Sequence, residues 1–75
     1  MYAIQNIKTG KFVYGTDYRY PKPRQRTNHN QMLTYADYES ANCDFRTRRC
    51  GKGYRIVEVE VRKVIKVKGV KKNDK

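Results

Sequence analysis

The 75-residue sequence predicts a small α+β protein with the element order ββαβ. Three observations predict this fold class: two β-favouring runs flank Gly10, a helix-capping Asp37 precedes an amphipathic stretch, and valines alternate with charged residues from Val57 to Val61. Because the helix must cross back over the sheet, the last strand should pair antiparallel with the first. We therefore expect a three-stranded antiparallel sheet in the order 2-1-3, one helix packed on one face, and a basic C-terminal extension.

The first predicted element is a β-hairpin within the first fifteen residues. Its strands carry β-favouring side chains at Tyr2, Ile4, Ile7, Phe12, Val13 and Tyr14. Gly10 lies in the turn between the two runs, and a glycine can adopt the positive φ that short hairpin loops with a bulge require.

The segment 16–31 is predicted to be an irregular loop. Asp17, Asn28 and Asn30 are turn formers, and Pro21 and Pro23 remove backbone donors that a strand would use. Loops of this length are uncommon in small domains, and they are often either functional or disordered.

A helix is predicted to follow. Asp37 suits the N-cap, Glu39 suits the positive end of the helix dipole, and Gly51 suits the C-terminal end. At about 100° per residue, one narrow apolar stripe should pack on the sheet. The stripe consists of Tyr38, Ala41 and Phe45. Cys43 and Cys50 should project to the opposite side as free thiols.

The last predicted strand begins at Tyr54 and places its alternating valines on one face. The same face continues to Val67, but a strand of that length would span roughly 45 Å at ~3.3 Å per residue, longer than the hairpin can pair. The end either frays into a basic tail or pairs with another chain, which would give a homodimer through the last strand. The predicted domain therefore covers residues 1–61, and residues 62–75 form a basic strand extension or tail.

Positive charge is concentrated in the second part of the chain. Residues 45–75 hold twelve Lys or Arg against three acids, whereas the first 44 residues hold six bases against four acids. Such asymmetry indicates an acidic partner, which is nucleic acid or an acidic protein. A membrane surface fits less well, because the basic tail lacks an amphipathic helix with bulky apolar anchors.

No residue pattern in the sequence indicates catalysis, a metal site or a cofactor. The seven acids show no pairing suited to general acid–base chemistry, and Cys43 has no neighbouring histidine to activate it. His29 lies between two asparagines in a polar loop, and one histidine with two distant cysteines is a weak basis for zinc. We therefore predict a protein that is not an enzyme and uses no cofactor or metal.

The candidate binding residues are cations and tyrosines. Phosphate contacts need cations spread along a surface, and aromatic rings among them can stack on unpaired bases. The residues predicted to bind nucleic acid are Tyr18, Arg19, Tyr20, Lys22, Arg24, Arg26, Arg46, Arg49, Lys52, Arg62, Lys63, Lys66 and Lys68. Tyr18 and Tyr20 equally suit closing the core beneath the loop, and the lysines equally suit a solubilising surface. DNA and RNA, single-stranded or duplex, are left open.

A small protein-binding inhibitor is the alternative function. A short, highly charged chain with an unusual loop suits blocking the site of a larger enzyme, and a basic chain suits an acidic surface. The long last strand also offers an edge for a partner or for a second copy. An open basic loop lined by tyrosines would favour nucleic acid, whereas a flat hydrophobic edge or a symmetric dimer would favour the inhibitor.

The sequence also predicts a cytoplasmic location. Residues 1–6 lack the charged region and apolar run of a signal peptide. No apolar stretch approaches the roughly 20 residues that a membrane span needs.

Two stretches of the chain carry a resemblance to known proteins: residues 2–13, and the pair of segments 34–35 and 54–59. Their layout resembles small uncharacterised accessory proteins from phages and prophages of Gram-positive bacteria, over residues 1–61. The resemblance implies a protein of the host cell cytoplasm, made during infection, that acts on nucleic acid or on a host nucleic-acid machine. Anti-CRISPR and anti-restriction proteins belong to that broad group. No motif accompanies the layout, so the resemblance assigns no functional residues.

Overall fold

A computed structural model describes residues 1–60 and 66–71 of the chain. The elements in chain order are β1 (Tyr2–Asn6), β2 (Phe12–Asp17), β3 (Arg24–Asn28), α1 (Tyr38–Thr47), a 3₁₀ turn (Gly51–Gly53), β4 (Tyr54–Glu60) and β5 (Lys66–Lys71). The strands form one antiparallel sheet in the order β3-β2-β1-β4-β5, and α1 packs on one of its faces. No helix in the described part of the chain is long and apolar enough to cross a membrane.

The predicted three-stranded ββαβ sheet is wrong, because the chain supplies two further strands. The segment predicted as an irregular loop contains β3, whose polar side chains give no apolar alternation. Pro21 and Pro23 precede this edge strand instead of interrupting it, where they cost no ladder hydrogen bond. The predicted extension contains β5, which pairs antiparallel with β4 from Ile56↔Lys71 to Glu60↔Lys66. The long last strand that the sequence predicts is therefore two strands of the same chain, β4 and β5, which pair with each other.

The predicted first hairpin is confirmed. Gly10 has a φ of 77° in the turn between β1 and β2. The Asn6 side chain stabilises the turn, since its Oδ1 accepts hydrogen bonds from the backbone N–H groups of Lys8 and Thr9 at 2.9 and 3.0 Å.

The predicted pairing of the first strand with the strand after the helix is also confirmed. β1 pairs antiparallel with β4 along its whole length, from Tyr2↔Glu58 to Asn6↔Tyr54. These two strands are central to the five-stranded sheet, so they are buried on both faces.

The start of α1 agrees with the prediction, whereas its end does not. Asp37 caps the helix, because its Oδ1 accepts a hydrogen bond from the Ser40 N–H at 2.7 Å, and this bond lowers the pKa of the Asp37 carboxyl. The helix ends at Thr47, before Cys50. Cys50 therefore turns into the core instead of projecting away from it, and burial raises the pKa of its thiol to about 12. Cys43 is exposed on the helix, and both thiols are free.

Apolar side chains cover both faces of the sheet. The helix-side core consists of Ile4, Val13, Ala41, Phe45, Cys50 and Ile56, bordered by Tyr2, Tyr35, Tyr38 and Tyr54. On the other face lie Ala3, Phe12, Val57 and Val59, with Met32 packed against them. Ala41 and Phe45 of the predicted stripe are buried, and Tyr38 meets Tyr2 edge to face with ring centroids 6.2 Å apart.

The strands β1 and β2 separate after the first turn, and this separation positions the candidate site. They pair at Gln5 and Phe12, beside the turn. Farther along, the Leu33 N–H donates to the Val13 carbonyl at 3.0 Å, and Tyr35 exchanges two backbone hydrogen bonds with Tyr2. The segment 33–35 thus lies between β1 and β2 beyond the turn. From there β2 pairs only with β3, and the two strands form a ribbon.

Candidate nucleic-acid interface

The far end of the β2–β3 ribbon carries a group of exposed cations. We call residues 17–26 the cationic hairpin; it comprises the end of β2, the turn 18–23 and the start of β3. In these ten residues there are four cations and one acid. The cations are Arg19, Lys22, Arg24 and Arg26, and all four are exposed.

The ribbon presents different side chains on its two faces. Gln25 faces α1, since its Nε2 donates a hydrogen bond to the Arg48 carbonyl at 2.6 Å. Arg24 and Arg26 flank Gln25 on β3, and successive side chains of a strand point to opposite faces. Both arginines therefore lie on the face of the ribbon that is turned away from the helix.

The one acid of the cationic hairpin is bound to two of its arginines. Asp17 Oδ2 lies 2.8 Å from a terminal nitrogen of Arg19 and 3.8 Å from one of Arg26. The hydrogen bond from Arg19 is the main reason why the pKa of the Asp17 carboxyl falls to about 2. Asp17 thus stays ionised and orients Arg19, and the hairpin keeps a net positive charge.

The two tyrosines predicted to stack on bases are not equivalent. The Arg24 guanidinium carbon lies 3.9 Å from the centroid of the Tyr20 ring, a cation–π contact that covers one ring face. Tyr18 is 57% exposed. Neither ring is part of the buried core. The alternative prediction, that Tyr18 and Tyr20 close the core beneath the loop, is therefore wrong.

A polar network holds the end of α1 against the ribbon. Arg48 donates from Nε to Asp44 Oδ2 at 2.7 Å and from a terminal nitrogen to Thr16 Oγ1 at 2.8 Å. The Tyr35 hydroxyl donates a hydrogen bond to the same Asp44 oxygen. The pKa of Tyr35 is raised, mainly because the hydroxyl is partly buried and to a lesser extent because of this hydrogen bond. Sequence reasoning missed these residues, although the i,i+4 spacing of Asp44 and Arg48 on a predicted helix is a visible signal.

Arg49 occupies a backbone position that usually belongs to glycine. The Arg49 N–H donates to the Arg46 carbonyl at 3.0 Å, and the Cys50 N–H donates to the Phe45 carbonyl at 3.2 Å. These two bonds form a Schellman motif, whose C′ residue adopts the left-handed conformation. Arg49 does so with φ 55°, although a residue with a Cβ pays for this conformation in free energy. The helix is therefore terminated by the Schellman motif at Arg49 and not by Gly51.

We expect Arg49→Gly to stabilise the fold by about 0.5–1 kcal/mol, because glycine relieves the backbone strain. Urea unfolding measures this effect. Arg49→Gln is the matched control, since it removes the charge but keeps a Cβ; its unfolding free energy should not rise. Equal stabilities of the two variants would show that the φ of Arg49 is not strained.

The structure separates the other predicted residues from the cationic hairpin. Arg46 lies about 200° around α1 from both Asp44 and Arg48, so it points away from the ribbon. Lys52 precedes Gly53, whose carbonyl accepts the Ile7 N–H at 2.9 Å, and thus lies near the β1–β2 turn.

The C-terminal cations are also apart from the hairpin. Lys66 and Lys68 belong to β5, which forms the opposite edge of the sheet from β3, about 19 Å away at ~4.8 Å per strand spacing. Arg62 and Lys63 lie outside the described residues. The eleven predicted residues that the structure describes therefore do not form one surface.

Two further findings bear on the site. Among residues 1–60 and 66–71, no group of three or more His, Cys, Asp or Glu side chains could hold a metal ion. No family model, curated protein or solved structure matches the chain.

Proposed function

We propose that this chain binds nucleic acid through the cationic hairpin, mainly by phosphate contacts and without catalysing a reaction. One observation carries the proposal: four exposed cations share a projecting two-stranded ribbon with a single carboxylate. Exposed arginines suit this role because the planar guanidinium can bind phosphate oxygens in a bidentate manner. A cytoplasmic location and an origin among phage accessory proteins form part of the same proposal, and they rest on the sequence.

The ribbon is built to present these cations. α1 is bound to its inner face through Gln25 and Thr16, so the exposed arginines of the outer face extend from a rigid support. Exposed cations on a rigid element lose little conformational freedom of the backbone when they bind, which favours affinity.

We expect the double variant Arg24→Ala with Arg26→Ala to bind labelled oligonucleotides at least about tenfold more weakly at physiological salt, because two phosphate contacts are lost. The slope of log affinity against log salt concentration should fall by about two. Fluorescence anisotropy over a salt series measures both quantities. The melting temperature should remain nearly unchanged, since both side chains are exposed.

The matched control is Lys8→Ala with Lys11→Ala, which removes the same charge from the β1–β2 turn at the other end of β2. Its affinity should fall far less than that of the hairpin variant. If both double variants weaken binding equally, net charge and not the hairpin governs binding. If the wild-type protein binds no better than a generic polycation, the nucleic-acid proposal fails.

A protein-binding inhibitor of a host nucleic-acid enzyme or defence complex is the second candidate. The observation that favours it is on β5, where Val67 and Val70 are 37% and 50% exposed at the edge of the sheet. An exposed apolar edge strand can pair with a strand of a partner or of a second copy. Val67→Lys with Val70→Lys should abolish such an interaction and should leave oligonucleotide affinity undiminished.

A further inference from the structure

The cationic hairpin is a two-stranded ribbon whose tip lies beyond the attachment of α1. α1 is attached to the ribbon at the paired residues Thr16 and Gln25. Beyond that pair the strands continue for one residue each, to Asp17 and Arg24, and the turn 18–23 joins them. The residues of the turn from Tyr18 to Lys22 are all exposed.

Cations border the ribbon on both faces. Arg24 and Arg26 lie on the outer face, as the alternation along β3 requires. On the inner face, Gln25 holds the Arg48 carbonyl at 2.6 Å, and the exposed Arg49 follows directly. A ribbon with positive charge on both faces is suited to a ligand that presents phosphates on two sides.

The tip is poorly equipped to stack on a series of unpaired bases. Single-strand binding surfaces use several aromatic rings in succession. In the cationic hairpin one face of Tyr20 is covered by Arg24 at 3.9 Å, which leaves Tyr18 as the more open ring. The contacts therefore favour a paired nucleic acid over a single strand.

We propose that the cationic hairpin enters the major groove of double-stranded DNA, with Arg24 and Arg26 directed to the phosphates of one strand and Arg49 to those of the other. This inference rests on the proposed function. The major groove of B-form DNA is ~12 Å wide and ~8.5 Å deep, and it admits a two-stranded β-ribbon. The major groove of an A-form RNA helix is deep and narrow and does not admit one.

The test is a competition experiment with the full chain and a labelled DNA duplex. Unlabelled competitors of the same length and sequence are duplex DNA, duplex RNA, single-stranded DNA, and duplex DNA whose pyrimidines carry bulky C5 substituents. The C5 position lies in the major groove, so these substituents fill that groove without changing the phosphate charge. We expect unmodified duplex DNA to compete at least tenfold more effectively than each of the other three.

The outcomes separate the inference from the proposed function. Equal competition by single-stranded DNA, by duplex RNA or by the C5-modified duplex would overturn the major-groove inference and leave nucleic-acid binding in place. Absence of binding to the labelled duplex and to labelled forms of all competitors would overturn both.

Discussion

Phe45→Ala should lower the free energy of unfolding by about 3–5 kcal/mol, the largest effect of any single substitution considered. Phe45 is 3% exposed and lies in the helix-side core with Ile4, Val13 and Ile56. Truncation would remove the ring that joins α1 to the sheet and would leave a cavity. A domain of this length has a total stability of only roughly 4–11 kcal/mol, so the loss would remove between about a quarter and all of it.

Urea unfolding followed by circular dichroism measures this change. Cys43→Ala is the matched control, because Cys43 lies on the same helix and is exposed; its unfolding free energy should stay within about 0.5 kcal/mol of the wild-type value. A loss of less than about 1 kcal/mol in Phe45→Ala would mean that the helix does not pack on the sheet in the way described.

Ending the chain after Val61 should destabilise the domain by at least about 2 kcal/mol, because β5 supplies β4 with a hydrogen-bonded neighbour. The valines of the two strands also pair across the ladder, at Val57↔Val70 and Val59↔Val67. The sequence alone leads to the opposite expectation, that a chain of residues 1–61 remains a folded domain.

The comparison chain ends after Lys71 and keeps every described strand. The difference between the unfolding free energies of the two shortened chains isolates the segment that contains β5. Relative to the comparison chain, the shorter chain lacks five bases and no acid, a net charge of +5, and relief of repulsion should stabilise it. A loss of stability would therefore come from strand pairing, whereas equal stabilities of the two chains would show that the pairing of β5 does no more than offset the relief of repulsion, which would contradict the expected loss.

Several elements are predictable because their signals are local. Gly10 between two β-favouring runs predicts a hairpin turn, and Asp37 ahead of an amphipathic stretch predicts a helix start. Alternation from Val57 to Val59 predicts a strand, and its pairing with β1 follows from the crossover of the helix. The signals for the turn, the helix start and the strand each depend on residues within a few positions of one another.

The edge strands are not predictable in the same way, because an edge strand needs little apolar character of its own. β3 consists of polar and charged residues, and its strand conformation comes from pairing with β2. β5 becomes a strand because β4 presents a row of backbone partners to it. The sequence therefore predicts a loop, and a strand extension or tail, where the folded chain has two strands that pair within the same sheet.

The sequence by itself determined the residue types of the candidate site, the cations and tyrosines of the loop, and the concentration of charge. The tertiary structure decided which of them act together. The order of the strands places the hairpin cations and the β5 lysines at opposite edges of the sheet. The hydrogen bond between Gln25 and Arg48 places the C-terminal end of α1, and not β5, beside the hairpin. The physical reason is that such proximity depends on hydrogen bonds between residues far apart in the chain, and no local pattern of residues specifies them.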